Sequence, residues 1–141
     1  MMEITFEGGK VITAHHHGFS IKTDQPENNG GTGSAPSPFD LYLASIGTCA
    51  AVYVKSFCDN RQLKTDGIRV LQKTVFSQET GLPVKLTIDI QLPPDFPEKY
   101  RQSVINVAEL CKVKKSIANP PVFEVISSNN TLQPPANDLN L

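Results

Sequence analysis

The chain has 141 residues, 39% of them hydrophobic, which fits one domain with a substantial core. Its 13 basic and 14 acidic residues give a net charge of −1, so neither a basic surplus for nucleic acid nor a positive block for a membrane surface is present. We expect a cytoplasmic protein without a signal peptide, because no positive segment followed by an apolar one opens the chain. We also expect no membrane span, because the uncharged run 41–54 is shorter than about 20 residues.

Three short strands are predicted at the N-terminus. Apolar and polar residues alternate in EITFEGG (3–9) and in FSIKTD (19–24), and VITAHHH (11–17) between them fits a hairpin partner. The segment 25–38 is rich in Gly, Pro, Asn and Ser and has no periodicity. It is therefore predicted to be a loop that leads into a site.

A long helix is predicted to follow this loop. Ser37 is a favourable N-cap, Pro38 fits the first helical position, and Asp40 lies in the first turn, where the helix dipole favours an acid. The helix should run to Asp59 or Asn60 and is apolar nearly all round, so it is expected to be buried on most of its surface. One small domain can hardly supply that cover, which predicts an intimate homodimer.

Two strands and a second helix are predicted in the second half of the chain. The strands cover 66–78 and 84–92, and strict alternation in the latter indicates an antiparallel sheet with one wet face. The helix begins near Pro97 and its apolar stripe ends at Cys111.

The C-terminal part is predicted to add a short helix or turn at 112–119 and a last strand, PVFEV, at 121–125. Residues 1–130 would form a single domain, and the polar residues 131–141 a disordered tail. Strands, a long helix, two strands, a helix and a strand in this order indicate an α+β fold.

Cys49 lies among small residues in SIGTCAA (45–51), which leave room beside a thiol. Gly47 costs the helix up to about 1 kcal/mol relative to Ala, and close approach of another element is the simplest compensation. A free cysteine in an apolar run is also ordinary packing material, so both interpretations stay open. Cys58 follows nine residues later, on the opposite side of the helix, and is expected to be incidental or packed.

The remaining candidates are Cys111, with the lysines that follow it, and two histidines near the N-terminus. Cys111 is followed by three lysines within 112–115, and cations near a thiol favour the thiolate, although such a run is more often a solvated face. On a strand, His15 and His17 would share one face, either as a cationic or metal-binding pair or as a solvated hairpin edge. Because the spacing of zinc ligands is absent, we expect no metal and no cofactor.

A Gly-rich loop followed by PSPFDLYLASIGTCAAVYV (36–54), with AELCKVKKSIANP (108–120) downstream, resembles the OsmC-like family of osmotically inducible and organic hydroperoxide resistance proteins. The resemblance implies antiparallel sheets packed around long central helices in an intertwined homodimer, with the site at the interface. It implies that the Cys49 thiolate attacks the O–O bond of an organic hydroperoxide and that Cys111 resolves the sulfenic acid into a disulfide. A dithiol reductant would then restore both thiols.

The chain departs from the peroxidase members that it resembles, which use an N-terminal Arg and a Glu after the proline to activate the thiolate. No Arg precedes Arg61 here, and Phe39 takes the position after the proline, with Asp40 next. Asp40 is either an activating acid or an ordinary first-turn acid, and His15 or His17 could replace the missing cation. Two functions follow: a thiol-dependent peroxidase, or a non-catalytic dimer that binds an apolar small molecule in its interface cleft.

Overall fold

Five strands and three helices follow one another along residues 1–129, the part of the chain that the computed structural model describes. The elements are β1 (Glu3–Gly8), β2 (Val11–His16), β3 (Phe19–Thr23), α1 (Pro38–Asp59), β4 (Arg69–Phe76), β5 (Pro83–Gln91), α2 (Arg101–Ala108) and α3 (Lys112–Ala118). All strand pairs are antiparallel, which confirms the predicted α+β class. The predicted tail, 131–141, lies outside the described residues.

The first sheet has one apolar face, and that face is open. Its order is β1–β2–β3, and its register places Ile4, Ala14 and Ile21 side by side. Phe6 is 86% exposed and Ile4 is 49% exposed. The apolar face therefore needs a covering surface that this protomer does not supply.

The core lies where α1 meets α2 and the second sheet, β4–β5. Apolar residues of β5 pack on this core from the sheet side, among them Ile88 and Ile90. The buried residues of the cluster are Ala50, Val54, Phe57, Cys58, Phe96, Val104 and Ala108. Burial of these side chains is the main force that joins the helices to the sheet.

Helix α1 begins and ends where the sequence predicts. Ser37 is its N-cap, Pro38 its first residue and Asp59 its last. By length and hydropathy it could cross a membrane, but a single helix of this kind is weak support, because the core helix of a soluble protein passes the same test. Here α1 packs against α2, α3 and β4.

One protomer covers only part of α1, as expected of an apolar helix that one small domain can hardly bury. Only 28% of its most apolar stretch is buried, and Val52 is 61% exposed. The face that packs on α2 is covered, whereas the opposite face presents apolar and small side chains to solvent. A further surface is needed to cover that face.

The prediction of a last strand at 121–125 is wrong for the protomer. These residues belong to no strand or helix, and Val122 and Val125 are each 97% exposed. Their β-branched and aromatic composition favours a strand, but a strand forms only where another edge pairs with it.

Candidate functional site

Two thiols meet between the middle of α1 and the start of α3. Cys49 is half-buried on α1, and Cys111 is fully buried as the N-cap of α3. The Cys111 sulfur lies 3.8 Å from the carbonyl oxygen of Ile46, one turn before Cys49, and accepts the Lys114 backbone N–H at 3.4 Å. Cys111 and Cys49 lie close enough that each shifts the pKa of the other. The structure thus brings both predicted cysteines together as free thiols.

The surroundings of the two thiols shift their pKa values in opposite directions. The Val113 backbone N–H and then the Cys111 thiol lower the pKa of Cys49, and the Lys112 N–H and the charge of Lys114 add to this against the opposing effect of burial. Burial first, and the neighbouring Cys49 in addition, raise the pKa of Cys111. The arrangement therefore favours a thiolate at Cys49 and a neutral, donating thiol at Cys111.

The donors that act on Cys49 come from the main chain at the start of α3. A helix start leaves its first N–H groups without helical partners, and here those of Lys112 and Val113 lower the pKa of Cys49. Sequence reasoning missed them, because a backbone donor leaves no signal in the residue types. It did locate the short helix that presents them.

An apolar cavity of about 410 Å³ opens at α3. Neither cysteine lines it, but Val113 belongs to its wall and is also the residue whose backbone N–H lowers the pKa of Cys49. Its lining residues are Tyr42, Val113, Ser116, Ile117, Pro120, Pro121 and Phe123. A molecule with an apolar body and a polar end fits this arrangement.

At Gly47 another element approaches α1 closely, as a glycine inside a helix predicts. The Gln72 side chain of β4 donates to the Leu43 carbonyl of α1 at 3.0 Å. A Cβ atom at position 47 would lie 2.8 Å from Gln72 Oε1, so a side chain there would displace Gln72. The glycine thus lets β4 tie itself to α1 half a turn from Cys49.

Asp40 caps α1. Its carboxylate accepts the Ser37 N–H at 2.9 Å and the Ser37 hydroxyl at 2.7 Å, while its own N–H donates to the Ser37 oxygen at 3.1 Å. These bonds from Ser37, the hydroxyl first, lower the pKa of Asp40. Asp40 precedes Cys49 by nine residues, or about 13 Å of helix. The structure therefore shows Asp40 in the capping role and does not bring it to the thiol.

The two candidate histidines lie in the first sheet and in one of its turns, and not on one shared strand face as predicted. His15 lies 3.0 Å from the Thr5 hydroxyl and 3.2 Å from the Ser20 hydroxyl. His17 lies outside β2, in the β2–β3 turn, where its φ is 49°. The prediction that it shares a strand face with His15 is therefore wrong. A two-residue turn with positive φ angles matches the twist of a hairpin, which is why β2 ends one residue earlier. Within residues 1–129, no group of three or more His, Cys, Asp or Glu is placed to hold a metal ion.

Asp24 organises the loop before α1, and sequence reasoning missed it. Its buried carboxylate accepts the Gln25 N–H at 2.8 Å and both N–H and hydroxyl groups of Thr32 and Ser34 at 2.8–3.1 Å. The Ser34 N–H and the Thr32 hydroxyl, ahead of the others, hold the pKa of Asp24 well below its usual range. The loop also requires a glycine at position 31, because a Cβ atom there would lie only 1.8 Å from the Gln25 carbonyl oxygen.

Comparison with known proteins places this geometry in a family. The model of the family described as OsmC-like protein matches residues 31–126, which include both site cysteines and the second half of the loop before α1. No curated protein matches the chain.

Solved structures share the fold. A protein from Psychrobacter arcticus, named for osmotic stress induction and a detoxification response, is 25% identical with a TM-score of 0.69, over 82% of this chain and 85% of that one. A Vibrio cholerae protein, named for organic hydroperoxide resistance and holding captopril in one active site, is 16% identical with a TM-score of 0.54, over 85% of each chain. An organic hydroperoxide resistance protein OsmC from Legionella pneumophila is 15% identical with a TM-score of 0.51, over 83% and 88%. The chain belongs to the OsmC-like protein family.

Proposed function

We propose that this protein is a thiol-dependent peroxidase that reduces organic hydroperoxides, with Cys49 as the attacking thiolate and Cys111 as the resolving thiol. The observation that carries the proposal is the pair of neighbouring thiols whose pKa values are shifted in opposite directions. Two like groups whose environments drive their pKa values apart are suited to different roles in one reaction. Names of related structures support the same class of substrate.

In the first step the Cys49 sulfur attacks one oxygen of the O–O bond. That bond breaks, an S–O bond forms, and the alkoxide that leaves takes a proton to become an alcohol. The sulfur is oxidised to a sulfenic acid and the peroxide is reduced by two electrons. Only the thiolate is nucleophilic enough for this attack, which is why the Val113 N–H and the Cys111 thiol matter.

In the second step Cys111 loses its proton and attacks the Cys49 sulfur. An S–S bond forms and the hydroxyl of the sulfenic acid leaves as water. A dithiol reductant then returns two electrons and restores both thiols. Because both thiols belong to one chain and lie near each other, this step is intramolecular and therefore fast.

The apolar cavity supports a hydrocarbon-bearing peroxide over hydrogen peroxide. Its wall combines aromatic and aliphatic side chains, such as Tyr42, Ile117 and Phe123, and adjoins the Cys49 donors through Val113. Burying the organic part of a substrate there would be favourable at roughly 25 cal/mol per Å². Hydrogen peroxide has no apolar part to bury.

We also propose that the protein works as a homodimer, as its family resemblance implies. Three apolar surfaces of the protomer lack full cover: the apolar face of the first sheet, one side of α1 and the segment 121–125. Large exposed apolar surfaces are typical of sites where a protein partner binds. Sedimentation at micromolar concentration should give a dimer, and a monomer would contradict this part of the proposal.

The peroxidase proposal is tested by hydroperoxide consumption. Purified protein with a dithiol reductant should consume cumene or tert-butyl hydroperoxide faster than hydrogen peroxide. Cys49→Ser should abolish turnover, because a hydroxyl at this position is not ionised at neutral pH. Cys58→Ser keeps both site thiols and is the matched control that should retain turnover.

Absence of consumption with every dithiol tried would contradict the peroxidase. The second function would then take its place: a non-catalytic dimer that holds an apolar small molecule in the same cavity. Retained turnover in Cys49→Ser would show instead that the chemistry lies at another group.

A further inference from the structure

A second cavity, of about 430 Å³, lies between the C-terminal half of α1 and α2. Its volume falls within the range of sites for small molecules. Among the described residues that line it, Arg61 is the one charged side chain, and none is an acid. Uncharged side chains with hydrogen-bonding groups line it from both helices: Ser56, Asn60, Ser103 and Asn106. The cavity is therefore polar and carries a positive charge.

Aromatic rings hold the guanidinium group of Arg61 in place. Its Cζ atom lies 3.9 Å from the centroid of the Phe57 ring and 5.7 Å from that of Tyr100. The two rings meet edge to face, with their centroids 5.8 Å apart. The Arg61 Nη1 atom also donates a long hydrogen bond of 3.5 Å to the Phe57 carbonyl oxygen. A guanidinium group has five N–H donors, so this bond leaves donors for a further acceptor.

The acids next to the lining residues are paired with other cations. Asp59, at the end of α1, forms a salt bridge with Lys55. Glu109, in the turn after α2, lies 2.8 Å from the Lys114 ammonium group. Within residues 1–129, Arg61 takes part in no salt bridge. Its charge therefore remains available to an anion from solution.

The rest of the cavity suits a ligand with both a polar end and an apolar body. The Asn106 side-chain oxygen accepts a hydrogen bond from Gln102 at 3.0 Å, which leaves the Asn106 amide N–H groups as donors. Val107 and Leu110 add apolar wall. A carboxylate matches the planar fork of a guanidinium group, because its two oxygens can accept two parallel N–H bonds.

We propose that this cavity between α1 and α2 binds a small organic carboxylate, with the carboxylate group on Arg61 and the apolar body against Val107 and Leu110. The site is separate from the thiol pair, since Arg61 follows Cys49 by 12 residues, or about 18 Å of helix rise. It does not depend on the proposed peroxidase function.

The test is a titration of the full-length protein with benzoate at constant ionic strength, followed by NMR of the backbone amides. Benzoate should shift the signals of Asn60, Arg61 and Asn106 in a saturable way, with a dissociation constant on the order of 1 mM, because a ligand of so few atoms binds weakly. Benzamide has the same shape without the charge. It should bind at least about tenfold more weakly, because charge-assisted hydrogen bonds are the stronger ones.

Arg61→Gln should weaken benzoate binding at least about tenfold, because it removes the charge and the fork. Arg69→Gln is the matched control: it makes the same change in charge at an exposed position of β4 and should bind benzoate like the wild type. Asn106→Asp adds a negative charge to the cavity wall and should weaken binding at least about threefold. It decides the question if the amide spectrum of Arg61→Gln shows a loss of fold.

The inference is overturned if benzoate gives no saturable shift at ten times the expected constant, or if benzamide binds equally well. It is also overturned if a folded Arg61→Gln binds like the wild type, or if Arg69→Gln weakens binding as much as Arg61→Gln does. None of these measurements uses a peroxide or a reactive thiol. A protein without peroxidase activity can therefore still bind the carboxylate, and an active peroxidase can lack this site.

Discussion

Helix α1 carries two cysteines nine residues apart, and the structure treats them in opposite ways. Cys49 is half-buried beside the start of α3, where backbone N–H groups and a second thiol lower its pKa. Cys58 is fully buried in the core cluster, where burial first and the charge of Asp59 next raise its pKa. The residue type is the same, so the difference comes from what the helix packs against at each turn.

The comparison shows why an apolar run surrounds a reactive thiol here. One side of α1 builds the core with α2, and Cys58 belongs to that side as a small hydrophobe. Half a turn out of phase, Cys49 faces the polar main chain of α3 instead. A single helix thus supplies both packing and a site, separated by helical phase.

The largest expected effect is the loss of steady-state turnover when the resolving thiol is removed, which separates the roles of Cys49 and Cys111. Cys111→Ser should consume about one equivalent of hydroperoxide per protomer and then stop at the Cys49 sulfenic acid, which dimedone traps for mass spectrometry. Steady-state turnover with a dithiol should fall at least about tenfold, because the intramolecular resolving step is lost.

Cys58→Ser is the control for that experiment and should keep full turnover. A disulfide between Cys49 and Cys58 after mild peroxide treatment of the wild type would contradict the pairing. Peptide mapping should find Cys49–Cys111 instead.

The next effect sharpens the contrast between the two cysteines of α1. At pH 7 iodoacetamide should modify Cys49 at least about 100-fold faster than Cys58, since burial limits both ionisation and access at Cys58. Because the pKa of Cys49 is lowered, its thiolate persists as the pH falls below the ordinary thiol range. Cys58, with a raised pKa, ionises only above that range. Equal rates at pH 7 would mean that α1 is oriented differently.

The smallest effect concerns stability. Cys58→Ser places a hydroxyl in the apolar core and should lower the free energy of unfolding by about 1–3 kcal/mol. Calorimetry should show a Tm lower by about 3–10 °C. Cys49→Ser, at a half-buried position, should stay within about 0.5 kcal/mol of the wild type. A larger loss for Cys49→Ser than for Cys58→Ser would reverse the assignment of packing and site.

Local chemistry accounts for what could be predicted from the residues. Ser37 and Pro38 specify the start of α1 because a cap and a fixed φ act within one turn, and the alternation of 84–92 specifies β5 because a strand has two faces. Helical phase alone placed Cys49 and Cys58 on opposite sides. The resemblance carried by the two cysteine segments led to the family, which the match over residues 31–126 confirms.

The tertiary structure alone decided how the thiol is activated. The candidates chosen from side-chain type were Asp40, His15 and His17, but Asp40 caps its helix, His15 bonds within its own sheet and His17 lies in a turn of that sheet. The groups that lower the pKa of Cys49 are mainly main-chain N–H groups. They lie about 60 residues later in the sequence, and folding brings them near the thiol. Every residue except proline carries such a donor, so only the packing of α3 on α1 selects the ones that meet the sulfur.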